Sequence, residues 1–551
     1  MMLNIKSLIS KYKYKFLCVI ILMIITSLIN TLLPYIIKQA MSLAENVTSF
    51  NEISSKILVI VATYMILSII CAFLEYVKYV LLTKNTEGLT YEIREEAYKK
   101  VISFNMDTFS NMHISTLITR MTADINNIGD FIGRILPMFI SAGIFLVVII
   151  GVMCFINIYF ALVMVVCSLI LVLVLIKIGK KMEYYNKRSI ENTEKLNNFF
   201  GETFSGINTI NLFNIQKERK EELDKYNSEE TDIAKRYFTI QSALRPVEST
   251  TKYLIIAIII YLCIQGKVAG IDIGIIYVVV SYIDKFFEPL GHILWHYENL
   301  QQGRVSIKRI DDLLNKKDNI ENIYQGENTE KLEGNIRFKS VNFSYIEGKQ
   351  VLKDVTFSIN KGEKVALVGE TGAGKTTIIN LILGFYKINS GNILFDGKNM
   401  DDISLESIRK NVSFIQQNPY IFDDTIKRNI IINDSNNISD EKIIDILKQV
   451  QLYEKVKSFE NGIYENVKDN VFSKGEKQLL AFARAIAKET SIYIFDEPTS
   501  NIDIESEIQL KKVIDNLSKD STVIIIAHRP ATIENVDKVL KVEGGKVLQL
   551  K

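Results

Sequence analysis

Lys364-Val-Ala-Leu-Val368 runs directly into Gly369-Glu-Thr-Gly-Ala-Gly-Lys-Thr376, and the class of the C-terminal half follows from this stretch. The short apolar run reads as a buried strand, and the residues from Lys375 onward read as a helix. G-x-x-x-x-G-K-[ST] between a strand and a helix is a phosphate loop. Gly369, Gly372 and Gly374 let backbone N–H groups wrap phosphate oxygens, and the following helix offers its N-terminus to their charge. Lys375 is expected to reach the β- and γ-phosphates and the Thr376 hydroxyl to bind Mg²⁺. Thr371, Ala373 and Thr377 complete the expected ATP-binding set.

Two further apolar runs belong to the same site. Ile492-Tyr-Ile-Phe495 ends in Asp496-Glu497. An acidic residue at a strand's C-terminal end suits Mg²⁺, which makes Asp496 a metal ligand, and Glu497 is the candidate base for the attacking water. His528 follows Val523-Ile-Ile-Ile-Ala527 and is placed to hold the attack geometry, its bland alternative being a histidine at a strand end. From about Leu332 onward, β-rich runs alternate with helical stretches and glycine turns, the texture of an α/β domain.

The first half has a different texture. The chain has 551 residues, of which 48% are hydrophobic and 23% charged, with a net charge of +2. Disorder is excluded by that apolar content, and five Cys exclude a disulfide-built secreted domain. The apolar residues are concentrated in long runs at Phe16–Ile37 and at about 57–82, 135–156, 158–176, 251–265 and 271–295. Each is near the ~20 residues that span a bilayer as helix, so six spans are expected. The first run is too long for the core of a signal peptide. All five Cys lie in or beside these runs and read as small packing residues.

Orientation follows from Lys and Arg. Segments 84–134 and 177–245 carry 6 and 13 of them, and Lys6, Lys11, Lys13 and Lys15 precede the first span. Both termini and the two long segments are therefore expected in the cytoplasm, with the spans running on as long helices that turn well outside the bilayer. The sixth span contains Asp284, Lys285 and Glu288. Asp284 lies about 17 Å along it, near mid-membrane, and shares a face with Glu288. Such groups mark a pathway or form an ion pair that orients helices, and both readings stand. Glu75 and Lys78 lie about 27 Å along the second span, where the inner interface accounts for them.

Six spans followed by this ATPase pattern resemble an ABC exporter half-transporter over nearly the whole length. The resemblance implies an all-α six-helix transmembrane domain at 1–310, a linker at 311–331 and an α/β P-loop ATPase domain with a helical subdomain at 332–551. It implies ATP and Mg²⁺ as cofactors, a plasma-membrane location in a bacterium, and action as a dimer with a second half-transporter. The family's signature loop, usually Leu-Ser-Gly-Gly-Gln, reads Phe472-Ser-Lys-Gly-Glu476 here. Ser473 and Gly475 fall on positions that cap the ATP of the other subunit, while Lys474 and Glu476 depart from the pattern. Gln417 falls on the family's glutamine that serves both Mg²⁺ and the attacking water. Tyr345 falls on the aromatic that stacks on adenine. The D-loop is Ser500-Asn-Ile-Asp503, and helices that couple the two domains are expected near 105–113 and 211–217.

The altered signature and Asn501 resemble members that pair as heterodimers with one weak ATP site. Residues 462–471 replace the usual Gly- and Glu-rich segment before the signature. Set against the family, the reading expects no helical tail after the last β-like stretch and no peptidase domain ahead of the first span. The resemblance implies export of a small molecule, peptide or lipid, driven by ATP binding and hydrolysis. The alternative is an ATP-gated regulator or channel of the same fold that does not pump. Six spans speak against a soluble ATPase acting on nucleic acid.

Overall fold

A computed structural model describes residues 5–45, 50–264, 273–295, 297–316, 326–329, 331–346, 348–432, 438–468, 470–497, 504–527 and 535–550. The chain forms two compact units, Met1–Tyr98 with Ser115–Lys316, and Lys99–Ile114 with Lys317–Lys551. The short segment Lys99–Ile114 therefore groups with the C-terminal unit, far from it in sequence.

The first unit is helical. Its long helices include Lys13–Glu45, Phe50–Ile102, Leu136–Ile156, Ile158–Ser205, Gln216–Ser242, Leu244–Ile264 and Ile273–Trp295. The uncharged runs of Phe50–Ile102 and Ile158–Ser205 expose Leu58, Met65, Ile69, Phe73, Leu162, Leu169 and Leu173 on their outer faces. Apolar side chains shown outward on this scale are the mark of a lipid or subunit contact. The 53 residues of Phe50–Ile102 reach about 80 Å, well beyond the ~30 Å of hydrocarbon, so the charged end of that helix stands outside the bilayer.

Among the described residues, four helices are long and apolar enough to cross a membrane: Lys13–Leu43, Lys56–Ile102, Ile114–Ile156 and Ile158–Ser205. The fifth and sixth expected spans fall on Leu244–Ile264 and Ile273–Trp295, and their join at 265–272 lies outside the described residues. The third and fourth spans meet at Asn157, where an extended backbone and a bond from Tyr159 N to Asn157 Oδ1 (2.8 Å) restart the helix. Two π-helical turns, Arg120–Asp124 and Phe131–Ile135, interrupt the part of the third that precedes its long apolar run.

Outside the spans, the fourth helix runs beside Gln216–Ser242 through Arg188–Glu229, Ser189–Glu230 and Asn192–Glu230 contacts. The tip is the short helix Ile207–Phe213, ended by Asn214 at φ +54°. That left-handed stop ends a short helix at 207–213, where a helix was expected at 211–217. The other short helix, Met106–Ser110, is capped by Asn105 and lies inside the expected range 105–113. Cys71 is buried as expected. Cys18 and Cys154 instead lie exposed on helix surfaces, because their apolar surroundings face outward rather than into a core.

The second unit contains a six-stranded sheet and a four-stranded sheet. Across the larger sheet the order is Lys546–Gln549, Lys538–Glu543, Lys364–Val368, Thr522–Ile526, Ile492–Asp496 and Val412–Ile415. All neighbours are parallel except the first pair. The central strands are buried on both faces, which is why they read as unbroken β-branched runs rather than alternating ones. The smaller sheet is antiparallel and packs Phe338, Phe343, Phe357 and Phe395 into one core with the helix Lys375–Ile382. A second core joins the helices Ile426–Ile430, Asp440–Gln449 and Lys474–Lys488, the helical subdomain.

Candidate functional site

Strand register gathers the predicted ATPase residues at one edge. Leu367 pairs with Ile526 and Ile526 with Asp496 in adjacent parallel strands. Ile415 pairs with Phe495 in the next. The phosphate loop, Asp496-Glu497 and Gln417 therefore all leave the sheet at its C-terminal edge, where open parallel sheets bind ligands.

The loop itself is built for backbone approach. Gly369 and Gly374 have φ of +153° and +114°, and a Cβ at Gly369 would stand 2.2 Å from Val542 O. Gly374 is the residue from which the helix Lys375–Ile382 starts, with no side-chain cap on the free N–H groups. Lys375 is buried, and its Nζ donates to Gly369 O (2.7 Å) and Glu370 O (2.8 Å). Burial pushes its ammonium below the usual lysine range, while Glu497 and Asp496 pull it back up. A desolvated cation beside uncapped N–H groups and left-handed glycines fits a polyphosphate. Thr376 is exposed at the start of the helix, whereas Thr377 is buried.

Tyr345 stands edge-on to Phe343 (4.8 Å) and Tyr386 (4.9 Å). Its hydroxyl donates to Thr377 Oγ1 (3.2 Å) and accepts from Asn380 Nδ2 (3.3 Å). The ring is thereby fixed to the helix that follows the phosphate loop, with part of it exposed. Thr377, expected among the ATP-binding residues, is the group that holds Tyr345.

Glu497 sits at φ +48°, a left-handed conformation that bends the chain sharply after the strand. Gln417 Nε2 donates to Glu497 Oε2 (2.8 Å) and fixes the carboxylate. Gln478 Nε2 lies 3.4 Å from Glu497 O, within reach of a weak hydrogen bond from the helix Lys474–Lys488. Gln478 is fully buried, and sequence reading missed it. The available signal was one polar residue at a core position in the run Lys477-Gln-Leu-Leu480.

The signature residues form the N-terminus of that helix. Ser473 Oγ accepts from Glu476 N (3.2 Å) and Glu476 Oε2 accepts from Ser473 N (2.8 Å), a reciprocal capping box. Glu476 also faces Lys455 at 3.7 Å. The departure from glutamine thus has a local structural use. Gly475 lies in the first turn. His528 and Ser500–Asp503 lie outside the described residues.

The membrane charges separate into distinct contacts. Asp284 is half-exposed and paired with Lys252 of the helix Leu244–Ile264. Both stand about 17–18 Å from the ends that flank residues 265–272, at matching depth. Lys285 Nζ donates to Asn30 O (2.7 Å) of the first span. The Glu288 side chain lies outside the described residues. Glu75 and Lys78 pair with each other, and Lys78 is buried, so helix packing rather than the membrane interface accounts for that lysine.

Comparison with known proteins gives the same two-part layout. The pattern described as ABC transporter transmembrane region matches residues 16–290, and that described as ABC transporter matches 352–500. The chain is 30% identical to the "Probable multidrug resistance ABC transporter ATP-binding/permease protein YheH" of Bacillus subtilis, over 90% of this chain and 74% of that one. It is also 30% identical to the multidrug resistance-like ATP-binding protein MdlB of Buchnera aphidicola subsp. Acyrthosiphon pisum, over 90% of this chain and 85% of that one. A solved bacterial Atm1-family ABC exporter with ATP bound shares the fold at TM-score 0.79 and 20% identity, covering 97% of this chain and 94% of that one.

Proposed function

This chain belongs to the ABC transporter family as an ATP-driven exporter half-transporter, and we propose that Glu497, held by Gln417, is the base that hydrolyses its ATP. It is a multi-pass protein of the plasma membrane whose ATPase domain binds and hydrolyses ATP. The observation that carries the base assignment is the 2.8 Å bond from Gln417 Nε2 to Glu497 Oε2 at the strand edge beside Lys375.

In this reading the glycine loop and Lys375 hold the phosphates and Tyr345 stacks on adenine. Thr376, Gln417 and Asp496 would hold Mg²⁺, which would supply charge neutralisation to the phosphates. Glu497 takes the proton of the attacking water, and His528 fixes the attack geometry. Ser473 and Gly475 cap the ATP of a second half-transporter. The capping box gives Glu476 a role within its own chain, which supports pairing with a different half that carries the usual signature. ATP favours the closed pair because it binds that state more tightly, and hydrolysis removes the bias.

The cargo in this reading is a small amphipathic molecule, as the multidrug names of the relatives suggest. The Lys252–Asp284 pair, with Asp284 half-exposed, faces its path, since a charge at that depth avoids lipid. In this reading both termini lie in the cytoplasm; Tyr12 and Lys11, bonded to Glu92 on the extension of the second span (2.8 and 3.1 Å), put the N-terminal segment on the same side as that extension.

Glu497→Gln tests the base. The variant should bind ATP, accumulate the closed dimer and lose turnover by about 10²–10⁴-fold. Turnover at the wild-type rate would remove Glu497 from this role. Vesicle uptake with ATP but not with a non-hydrolysable analogue separates pumping from gating.

A further inference from the structure

Pro34 lies inside the first membrane helix, Lys13–Glu45. Proline has no amide hydrogen, so the carbonyl four residues back, Asn30 O, has no donor from its own helix. Within hydrocarbon a carbonyl left in that state costs several kcal/mol, and proline is kept in spans where a neighbouring helix supplies the bond. Here the neighbour is Ile273–Trp295. Lys285 Nζ donates to Asn30 O at 2.7 Å, and Tyr282 Oη donates to the adjacent carbonyl, Thr31 O, at 2.6 Å. Tyr282 is buried, and Thr31 is buried beside it. Tyr282 and Lys285 are three residues apart, on one face of the helix. Asp284, between them in sequence, turns to Lys252 on another helix.

We propose that Lys285 is a positioning residue that supplies the hydrogen bond Pro34 removes, with Tyr282 as its companion, latching the sixth span to the first. It is not a group that touches cargo. The latch fixes the rotation of the sixth span and so aims Asp284 at Lys252. An effect of the latch on export, not the latch itself, rests on reading Asp284 as part of the export path.

The test is a double-substitution cycle in the full-length chain, read as thermal unfolding in detergent. Lys285→Met should lower the midpoint, and Lys285→Arg, which keeps donors, should restore most of it. Pro34→Ala returns an N–H to residue 34 and lets the first span satisfy Asn30 O by itself. In that background Lys285→Met should lose less than about a third of what it loses beside Pro34, a coupling of the kind contacting residues show. Equal losses in both backgrounds, or no loss beside Pro34, would overturn the latch. If Lys285→Met does not accumulate, recovery of the Pro34→Ala/Lys285→Met protein supports the proposal. Failure of that double variant, or of Pro34→Ala alone, overturns it. ATPase activity on the same samples separates the two readings: rescue without any hydrolysis keeps the latch and sinks the motor assignment.

Discussion

Two lysines, one in each half, make the same contact for opposite reasons. Lys375 donates to the carbonyls of Gly369 and Glu370, and Lys285 donates to the carbonyl of Asn30. In the ATPase half the carbonyls belong to a glycine loop that leads into a helix start with no side-chain cap, so the ammonium stands beside N–H groups open to an anion. In the membrane half the carbonyl is one that a proline has left without a donor, so the ammonium completes a helix. A hydrogen bond alone does not distinguish a binding residue from a packing residue; the donors and acceptors around it do.

That contrast predicts that substitutions in the ATPase loop cost function first, and substitutions among the membrane-half polar contacts cost stability first. The largest effect is expected at Lys375. Lys375→Met should weaken ATP binding by about 10²-fold, near 3 kcal/mol, the worth of one or two charge-assisted bonds. Its nucleotide-free stability should not fall. The folded-state pKa is depressed, so the cost of the buried ammonium is present below that pKa and fades as pH rises toward the ordinary lysine value near 10.4. A nucleotide-free Lys375→Met protein less stable than wild type at neutral pH would break the comparison.

Gly369→Ala comes next. The new Cβ would meet Val542 O at 2.2 Å, at a φ of +153°. Nucleotide binding should drop and unfolding should come about 2–3 kcal/mol earlier, measured by nucleotide titration and denaturation together.

Asp124 tests the membrane half. Its buried Oδ1 accepts from Ser306 Oγ (2.8 Å) and Arg309 Nη1 (3.4 Å). These two lie in the helix Tyr297–Leu314, which continues the sixth span. Asp124→Ala should cost about 1–3 kcal/mol of stability while nucleotide affinity stays within twofold. Loss of affinity with unchanged stability would reverse the assignment of that cluster to packing.

The smallest effect is expected at Glu363, which bonds Lys538 at 2.9 Å on the edge of the ATPase sheet away from the phosphate loop. Burial raises its pKa, but Lys538 and Asn360 outweigh that and leave it below the usual glutamate range. Its contribution is complete above the unfolded pKa and is lost as pH falls through the folded one. Glu363→Gln should remove less than about 1 kcal/mol of acid sensitivity below pH ~4.5 and leave ATPase kinetics unchanged.

The ATPase half was legible because its chemistry is local. Thirteen consecutive residues, Lys364 to Thr376, contain strand, loop, glycines, lysine and hydroxyl in the order the loop requires. Apolar run length likewise gave the spans, because the bilayer imposes one length on every crossing helix. The sequence could not pair the membrane charges. Asp284 and Glu288 share a face by periodicity, yet the partner of Asp284 is Lys252, 32 residues away, and that of Lys285 is a backbone carbonyl of the first span. Gln478 was passed over for the same reason, since its contact with Glu497 crosses from helix to strand end.

The two-part architecture, the glycine loop between strand and helix with Lys375 and Thr376, and the acidic strand end at Asp496 and Glu497 were readable from the chain alone. Periodicity and contiguous motifs are enough for these, because their partners lie within a turn or a strand. Only the tertiary structure decided that Gln417 holds the Glu497 carboxylate, that Lys252 answers Asp284, and that Lys285 serves the helix Pro34 interrupts. Each of those joins groups far apart in the chain, and a buried charge takes its partner from whichever helix or strand packing brings within hydrogen-bond reach.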